Sequence, residues 1–272
     1  HSLRDSGKRE ELEIWAEQND IDILLIQETW TNQCTVERRT NYTIFFSSND
    51  ENTTNRTEAG VAIMIRNKHI NKLIDVEPID DRIMAISIRG TVTYILSTHT
   101  CTPLHTQKKT EIYQKLKDTV NRYKRGGPVF IGGDFNADIQ SKDATDNKII
   151  GAHTFDKKHE NALTDDGMIS NRDELIDFCT ERSYAIMNTW FQKSEEQKIT
   201  WRHPGTKPHH PKTRGHYACK DYWLVPNRWK HNVHGCSNDI GCNINTDHYP
   251  LTIHIRATLC ANTQQRKEPR TN

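Results

Sequence analysis

A chain of 272 residues can form one large domain or two ordinary ones. Hydrophobic residues make up 34% of it and include clear apolar segments and six Trp, so a disordered chain is excluded. The formal net charge is only +1, so any nucleic acid must be held by a local patch. No apolar run approaches the roughly 20 residues of a membrane helix, so no membrane partner is expected.

The pattern of apolar residues predicts one α/β domain over 1–258 and a polar tail or linker over 259–272. Helices are predicted at 7–19, 106–127 and 172–183. Strands are predicted at 21–29, 60–66, 82–89, 91–98, 128–132, 184–188, 198–201, 220–226 and 249–258. Residues 138–170 are polar and predicted to be irregular. Several strands follow one another directly, which favours mixed sheets over a purely βαβ winding.

The stretch VFIGGDFNAD (129–138) places an acid and an amide where an apolar strand ends. Asp134 and Asn136 are two apart, so on an extended backbone their side chains point the same way. Gly132 and Gly133 allow a tight turn or the close approach of another group. A carboxylate beside an amide can activate a water and orient a substrate oxygen. The alternative is an ordinary Asx turn after a strand.

Further polar residues lie at strand ends. Glu28 closes an apolar strand, where an unpaired charge is unlikely to be buried, although an exposed strand-end Glu is the alternative. Asp221 begins a strand, and Asp247 with His248 precedes the last one. A carboxylate such as Asp221 can orient and charge an imidazole. The set suits metal-assisted hydrolysis of a phosphoester.

The ordered motifs LLIQETW, GGDFNAD, KDYWLV and TDHYPL resemble those of the endonuclease/exonuclease/phosphatase superfamily over nearly all of 1–258. The resemblance implies a deoxyribonuclease I-like fold, a four-layer α/β sandwich of two mixed β-sheets flanked by helices. In that family the first strand ends in an Asn that supports the metal site. This chain begins His-Ser-Leu-Arg, which resembles the segment just after that Asn, so the first strand is expected to be missing.

The resemblance also implies a role for each matching residue. Glu28 and Asp247 would hold Mg²⁺ or Mn²⁺, Asp134 would activate or position the attacking water, and Asn136 would hold the phosphate.

The resemblance also assigns roles to two histidines and to an aspartate that contacts one of them. Asp221 matches the Asp that hydrogen-bonds the catalytic His, and His248 matches that His on the scissile phosphate. His99, in STHTCT, falls where many members carry a Tyr that touches the phosphate. A His there can still donate a hydrogen bond.

The loop 202–220 carries five Lys or Arg, four His and no acid, and is either a solvated loop or a hairpin that enters a DNA groove. The stretch MNTWFQKSEEQKITWRHPG (187–205) resembles endonucleases of LINE-type (non-LTR) retrotransposons. The residues expected to bind double-stranded DNA are Thr200, Arg202, His203, Lys207, Lys212, Arg214 and Lys220. A nick with a 3′-hydroxyl would prime a downstream reverse transcriptase, in the nucleus. An apurinic repair endonuclease and a non-catalytic binding derivative remain alternatives.

The stretch HNVHGCSNDIGC (231–242) holds two His and two Cys. His231, His234, Cys236 and Cys242 could bind zinc, but their spacing matches no standard module. A loop with incidental Cys and His is the alternative.

Overall fold

A computed structural model describes residues 3–31, 33–48, 60–90, 94–100, 106–140, 148–155, 166–205 and 217–259. The helices are α1 (Ser6–Gln18), α2 (Thr106–Tyr123) and α3 (Asp166–Arg182). The strands are β1 (Ile23–Gln27), β2 (Val36–Arg38), β3 (Tyr42–Ser47), β4 (Val61–Arg66), β5 (Leu73–Pro78), β6 (Ile83–Ile88), β7 (Tyr94–His99), β8 (Val129–Asp134), β9 (Tyr184–Ile186), β10 (Trp201–Arg202), β11 (Tyr217–Ala218), β12 (Asp221–Pro226), β13 (Val233–Asn238) and β14 (Leu251–Ile255).

The larger sheet has six strands in the order β5-β6-β7-β8-β12-β9. It is mixed because β7 and β8 are parallel while its other pairs are antiparallel. α2 makes the connection that a parallel pair requires. Its apolar residues at helical spacing, such as Ile112, Leu116 and Val120, pack with Leu175 and Phe178 of α3 against one face of this sheet.

The smaller sheet has the order β1-β4-β3-β2 and is antiparallel throughout. One face of it packs on the larger sheet through side chains such as Ile63 and Ile86, and the other face packs on Trp15 of α1. The layers are therefore helices, sheet, sheet and helix. The predicted α/β sandwich of two sheets flanked by helices is confirmed. No helix in the described part of the chain is long and apolar enough to cross a membrane.

Some local predictions were wrong. Sequence reasoning did not identify β2, β3, β5, β11 or β13, the last of which lies in the stretch predicted as a loop or zinc site. The strand predicted at 198–201 is a 3₁₀ turn at Glu196–Lys198 followed by the short β10, and α3 begins at Asp166 inside the segment predicted to be irregular. Leu259 still bridges to Gly90, whereas 260–272 lie outside the described residues.

Strand β1 lies at one edge of the smaller sheet and is more exposed than its apolar sequence suggests. A continuous apolar run is typical of a strand covered on both sides, yet all five residues of β1 are only half-buried. Among the residues that the structure describes, β1 pairs only with β4 and β14 pairs only with β13. Both strands line a groove of about 470 Å³ that leads to the strand ends carrying the acids.

Candidate functional site

The polar residues predicted at strand ends meet at one edge of the larger sheet. His99 closes β7 and is in register with Asp134, which closes β8. Asp134 is in register with Asp221, which opens β12. Three neighbouring strands thus present a row of polar side chains. Gly133 permits this spacing, because at φ 153° a Cβ there would lie 1.8 Å from the carbonyl oxygen of Thr98.

His248 is held over this row by a carboxylate. Its Nδ1 lies 2.9 Å from Asp221 Oδ2, and its backbone bridges to Trp201. Burial alone would lower the pKa of His248, but the charge and hydrogen bond of Asp221, followed by the charges of Asp134 and Asp247, raise it to about 9. His248 is therefore an imidazolium at neutral pH, with its Nε2–H directed at the site.

Asp134 is the most enclosed of the acids, at 5% exposure. Its Oδ1 accepts a hydrogen bond from the backbone N–H of Asn136 at 2.8 Å, and its Oδ2 lies 3.9 Å from His248 Nε2. Burial and then the charge of Asp221 raise the pKa of Asp134, while His248 opposes that rise. A carboxyl group with a raised pKa is a better proton acceptor, which suits a general base.

Asn136 occupies a left-handed conformation with φ 46° and is buried. Its side-chain amide donates to the carbonyl of Thr100 at 3.1 Å, and its own carbonyl accepts from Asn171 Nδ2 at 2.9 Å. The backbone here forms the Asx turn given as the alternative and is not extended through Asn136, and these hydrogen bonds fix Asn136 and Asp134 relative to each other.

His99 is buried, and its two ring nitrogens face different groups. Nδ1 accepts from Arg82 Nη1 at 3.1 Å, while Nε2 lies 3.8 Å from Glu28 Oε1 and 4.0 Å from Asp134 Oδ2. Burial, and then the positive charges of Arg82 and His248, hold the pKa of His99 well below its usual value. His99 is thus the neutral imidazole of the site and His248 the charged one.

Two carboxylates could contribute to a divalent cation site. Glu28 follows β1 with φ 53°, and its side chain is 42% exposed at the mouth of the site. Asp247 Oδ2 accepts from Trp201 Nε1 at 3.1 Å. Hard cations prefer carboxylate oxygens, and the buried repulsion between Asp134 and Asp221 would be relieved by a nearby cation, so the donor chemistry fits. No three His, Cys, Asp or Glu side chains of the described chain already converge as a metal cluster.

The predicted DNA-contacting residues divide into four groups, the last of which is Lys220 with His203. Thr200 is 1% exposed, and its hydroxyl accepts from the backbone N–H groups of Lys220 (2.8 Å) and Asp221 (3.0 Å), so its side chain positions Asp221 and offers no surface to DNA. Arg202 donates to the carbonyl of Thr246 at 3.0 Å. The third group, Lys207, Lys212 and Arg214, lies outside the described residues.

Lys220, Trp201 and His203 form a cationic and aromatic surface at the base of the loop 202–220. Lys220 Nζ lies 3.9 Å from the ring centroid of Trp201, and the exposed His203 ring meets Trp201 edge-on at 6.2 Å. Since Trp201 also donates to Asp247, this surface is joined directly to the carboxylate site. The role of Trp201 was not predicted, because the pairing of β10 with His248 joins residues far apart in the sequence.

Asn188 was also missed. Its Nδ2 donates to the carbonyl of Asp221 at 2.8 Å, and its Oδ1 accepts from the backbone N–H of Trp223 at 3.1 Å. The MNTWF stretch contains Asn188, but its local sequence does not indicate that this residue hydrogen-bonds to β12.

The His and Cys residues of 231–242 do not form a metal cluster in the part of the chain that the structure describes. Cys236 is buried on β13 with its Sγ 3.9 Å from Asn188 Oδ1, whereas Cys242 packs against the cluster that contains Trp15. The two cysteines therefore serve different parts of the core.

Comparison with known proteins identifies the family of this chain. A family model described as the endonuclease/exonuclease/phosphatase family matches residues 1–248. Craniofacial development protein 2 of Bos taurus is 24% identical over 93% of this chain, but the chain spans only 39% of that relative's length.

Two solved structures share the fold. AP endonuclease LMAP from Leishmania major has a TM-score of 0.67 at 12% identity, covering 94% of this chain and 85% of that one. The endonuclease domain of TRAS1, a telomere-specific non-LTR retrotransposon, has a TM-score of 0.57 at 18% identity, covering 94% and 96%.

Proposed function

Because the chain belongs to the endonuclease/exonuclease/phosphatase family, we propose that it is a divalent-metal-dependent endonuclease that nicks double-stranded DNA and leaves a 3′-hydroxyl. The observation that carries this proposal is the row His99, Asp134 and Asp221 beneath the charged His248. It combines a carboxylate with raised pKa and an imidazolium within 3.9 Å of each other. Hydrolysis of a phosphodiester needs such a base and such a stabiliser of anionic charge.

In this mechanism Asp134 orients a water and accepts its proton while the water oxygen attacks phosphorus. The bond from phosphorus to the 3′ oxygen breaks, that oxygen takes a proton from solvent, and the phosphate remains on the 5′ oxygen of the downstream nucleotide. His248 Nε2 is too close to Asp134 Oδ2 to act on the opposite side of an in-line displacement, so it stabilises the charge on a phosphoryl oxygen. Asn136 holds the phosphate.

Glu28 and Asp247 are the residues that would hold Mg²⁺ or Mn²⁺. Such an ion would neutralise negative charge on the phosphate and the leaving oxygen. The hydrogen bond from Trp201 orients Asp247 for this role.

The biological role proposed for the nick is target-primed reverse transcription in a LINE-type retrotransposon, in the nucleus and with a reverse transcriptase domain of the same polyprotein as partner. Two features support it: the shared fold with the TRAS1 endonuclease and the acid-free basic loop at 202–220. Lys220 over Trp201 gives that loop a cationic base beside the site. DNA phosphates are the partners that such a loop neutralises.

An apurinic repair endonuclease is the second candidate, favoured by the likeness to AP endonuclease LMAP. The two candidates differ in the DNA they select. A repair enzyme must bind a nucleotide that lacks its base, whereas the retrotransposon enzyme selects intact sequence.

The test compares nicking of supercoiled plasmid with cleavage of an abasic-site oligonucleotide, in Mg²⁺ and in EDTA. The variants Asp134→Ala and His248→Ala remove the base and the imidazolium. Asp118→Asn removes an exposed carboxylate on α2 and is the matched control. We expect Mg²⁺-dependent nicking of intact DNA that both site variants lose and the control keeps. Strong preference for the abasic site would favour repair. Absence of cleavage by the unaltered chain, or nicking that survives both site variants, would refute the endonuclease assignment.

A further inference from the structure

The row of polar residues continues one strand beyond His99. Arg82 precedes β6 and lies beside His99, whose backbone N–H donates to the carbonyl of Arg82 at 2.9 Å. The Arg82 guanidinium then donates from Nη1 to His99 Nδ1 at 3.1 Å. Arg82 is itself positioned by Asp80, whose Oδ1 accepts from the backbone N–H of Arg82 at 2.8 Å. Arg82 is therefore built into the same edge as the proposed catalytic residues.

This contact determines which nitrogen of His99 carries the proton. A guanidinium has only donors, so the nitrogen that it meets must accept, and the proton of a neutral imidazole must then be on the other nitrogen. The Arg82 contact thus requires the Nε2–H form of His99.

The Nε2–H of His99 faces the space where the acids meet. Its distances to Glu28 Oε1 (3.8 Å) and Asp134 Oδ2 (4.0 Å) are both longer than a hydrogen bond. Because the Nε2–H of His99 is held beside Asp134 but too far from it for a hydrogen bond, it can donate to an oxygen of a bound substrate.

We propose that Arg82 is a positioning residue that fixes His99 as an Nε2–H donor to a non-bridging oxygen of the scissile phosphate. This role rests on the proposed phosphodiester hydrolysis. It explains how a histidine can work beside an imidazolium: His248 supplies positive charge, and His99 supplies a neutral, directed donor. It also gives a buried histidine a single tautomer, because a group that only donates must face the unprotonated ring nitrogen.

The tautomer can be measured without substrate. Long-range ¹H–¹⁵N spectra of protein labelled with ¹⁵N-histidine distinguish the two ring nitrogens, and the spectrum of His99→Gln assigns the signal. We expect His99 to be exclusively Nε2-protonated at pH 7.5, and Arg82→Met to lose that exclusivity while Arg82→Lys retains it. A wild-type signal from an Nδ1–H tautomer or an imidazolium, or an unchanged tautomer in Arg82→Met, would overturn the proposal, whether or not the protein cleaves DNA.

Kinetics test what the donor does. The amide nitrogen of Gln can replace Nε2, whereas that of Asn reaches only the position of Nδ1. We expect His99→Asn to lower kcat by about 10²–10³ with KM little changed, as for loss of one donor to a developing oxyanion, and His99→Gln to recover most of it. Arg82→Met should lower kcat and Arg82→Lys should restore it, while Arg122→Met, an exposed arginine paired with Glu77, should have no effect. Equal activity of the Asn and Gln variants would refute the donor role.

Discussion

Replacement of Asp221 by Asn should move the alkaline limit of activity by more than two pH units. The Asp221 carboxylate is the main group that raises the pKa of His248 to about 9, against burial, which lowers it. Asn can still accept the hydrogen bond from Nδ1, so the ring keeps its orientation and loses mainly the charge. Without that charge burial is opposed only by the charges of Asp134 and Asp247, so we expect the pKa of His248 to fall towards its ordinary value of 6.5.

The magnitude follows from the shift. One pKa unit corresponds to about 1.4 kcal/mol, so a rise from 6.5 to about 9 represents about 3 kcal/mol, an upper value because one side of the ring meets solvent. At pH 7.5 the wild-type imidazole is almost fully charged, whereas with a pKa of 6.5 only about a tenth of it is charged.

The assay is the pH profile of plasmid nicking, supported by an NMR titration of His248. We expect the wild-type rate to decline as pH rises through about 9, and the rate of Asp221→Asn to decline as pH rises through about 6.5, with Asp118→Asn resembling wild type. An alkaline limb at the same pH in Asp221→Asn and wild type would refute this account of His248, even if the variant were slower.

The same pair makes a prediction for stability. Because the pKa of folded His248 is raised above its value in the unfolded chain, the stabilisation is fully present below about pH 6.5 and is lost as pH rises through about 9. Asp221→Asn should therefore lower Tm at pH 6 and have a smaller effect at pH 10. An equal loss at both pH values would indicate a defect unrelated to the charge of His248.

Three more substitutions test other parts of the site. Asp134→Asn should abolish nicking yet raise Tm at pH 8, because the pKa of Asp134 is raised in the folded protein and its ionisation there destabilises the fold. The gain in Tm should vanish at pH 4, where the carboxyl of the folded protein is protonated, and a lower Tm of the variant at pH 8 would contradict this account. Gly133→Ala should destabilise by on the order of 3 kcal/mol in urea unfolding, since its Cβ would meet the Thr98 carbonyl; an unchanged midpoint would contradict the described backbone. Trp201→Phe removes the hydrogen bond to Asp247 and should raise the Mg²⁺ needed for half-maximal rate by about 10–100-fold; an unchanged Mg²⁺ dependence would exclude this role.

The sequence identified the residues at strand ends because their chemistry conflicts with their neighbours. Asp134 and Asn136 follow two glycines and an apolar strand, and Glu28 closes another, so local pattern alone made them candidates. Arg82 and Trp201 have no such local contrast. Their roles depend on the register between β6 and β7 and on the bridge from β10 to His248, which are pairings between distant parts of the chain. The half-buried state of β1, despite an apolar run typical of a strand covered on both faces, has the same origin, because burial depends on which strands lie beside it.

The charged residues at this edge of the larger sheet favour catalysis at the expense of stability. Asp134 and Asp221 are adjacent in register on neighbouring strands, where like charges repel, and burial makes that repulsion costlier. A fold could avoid the cost with an apolar pair, but here the cost is offset only in part by the His248 imidazolium. A buried acid with a displaced pKa in a groove, as Asp134 is, is typical of sites that transfer protons or neutralise an incoming group. The same arrangement therefore accounts both for the loss of stability when Asp134 ionises and for the loss of nicking expected when Asp134 is replaced.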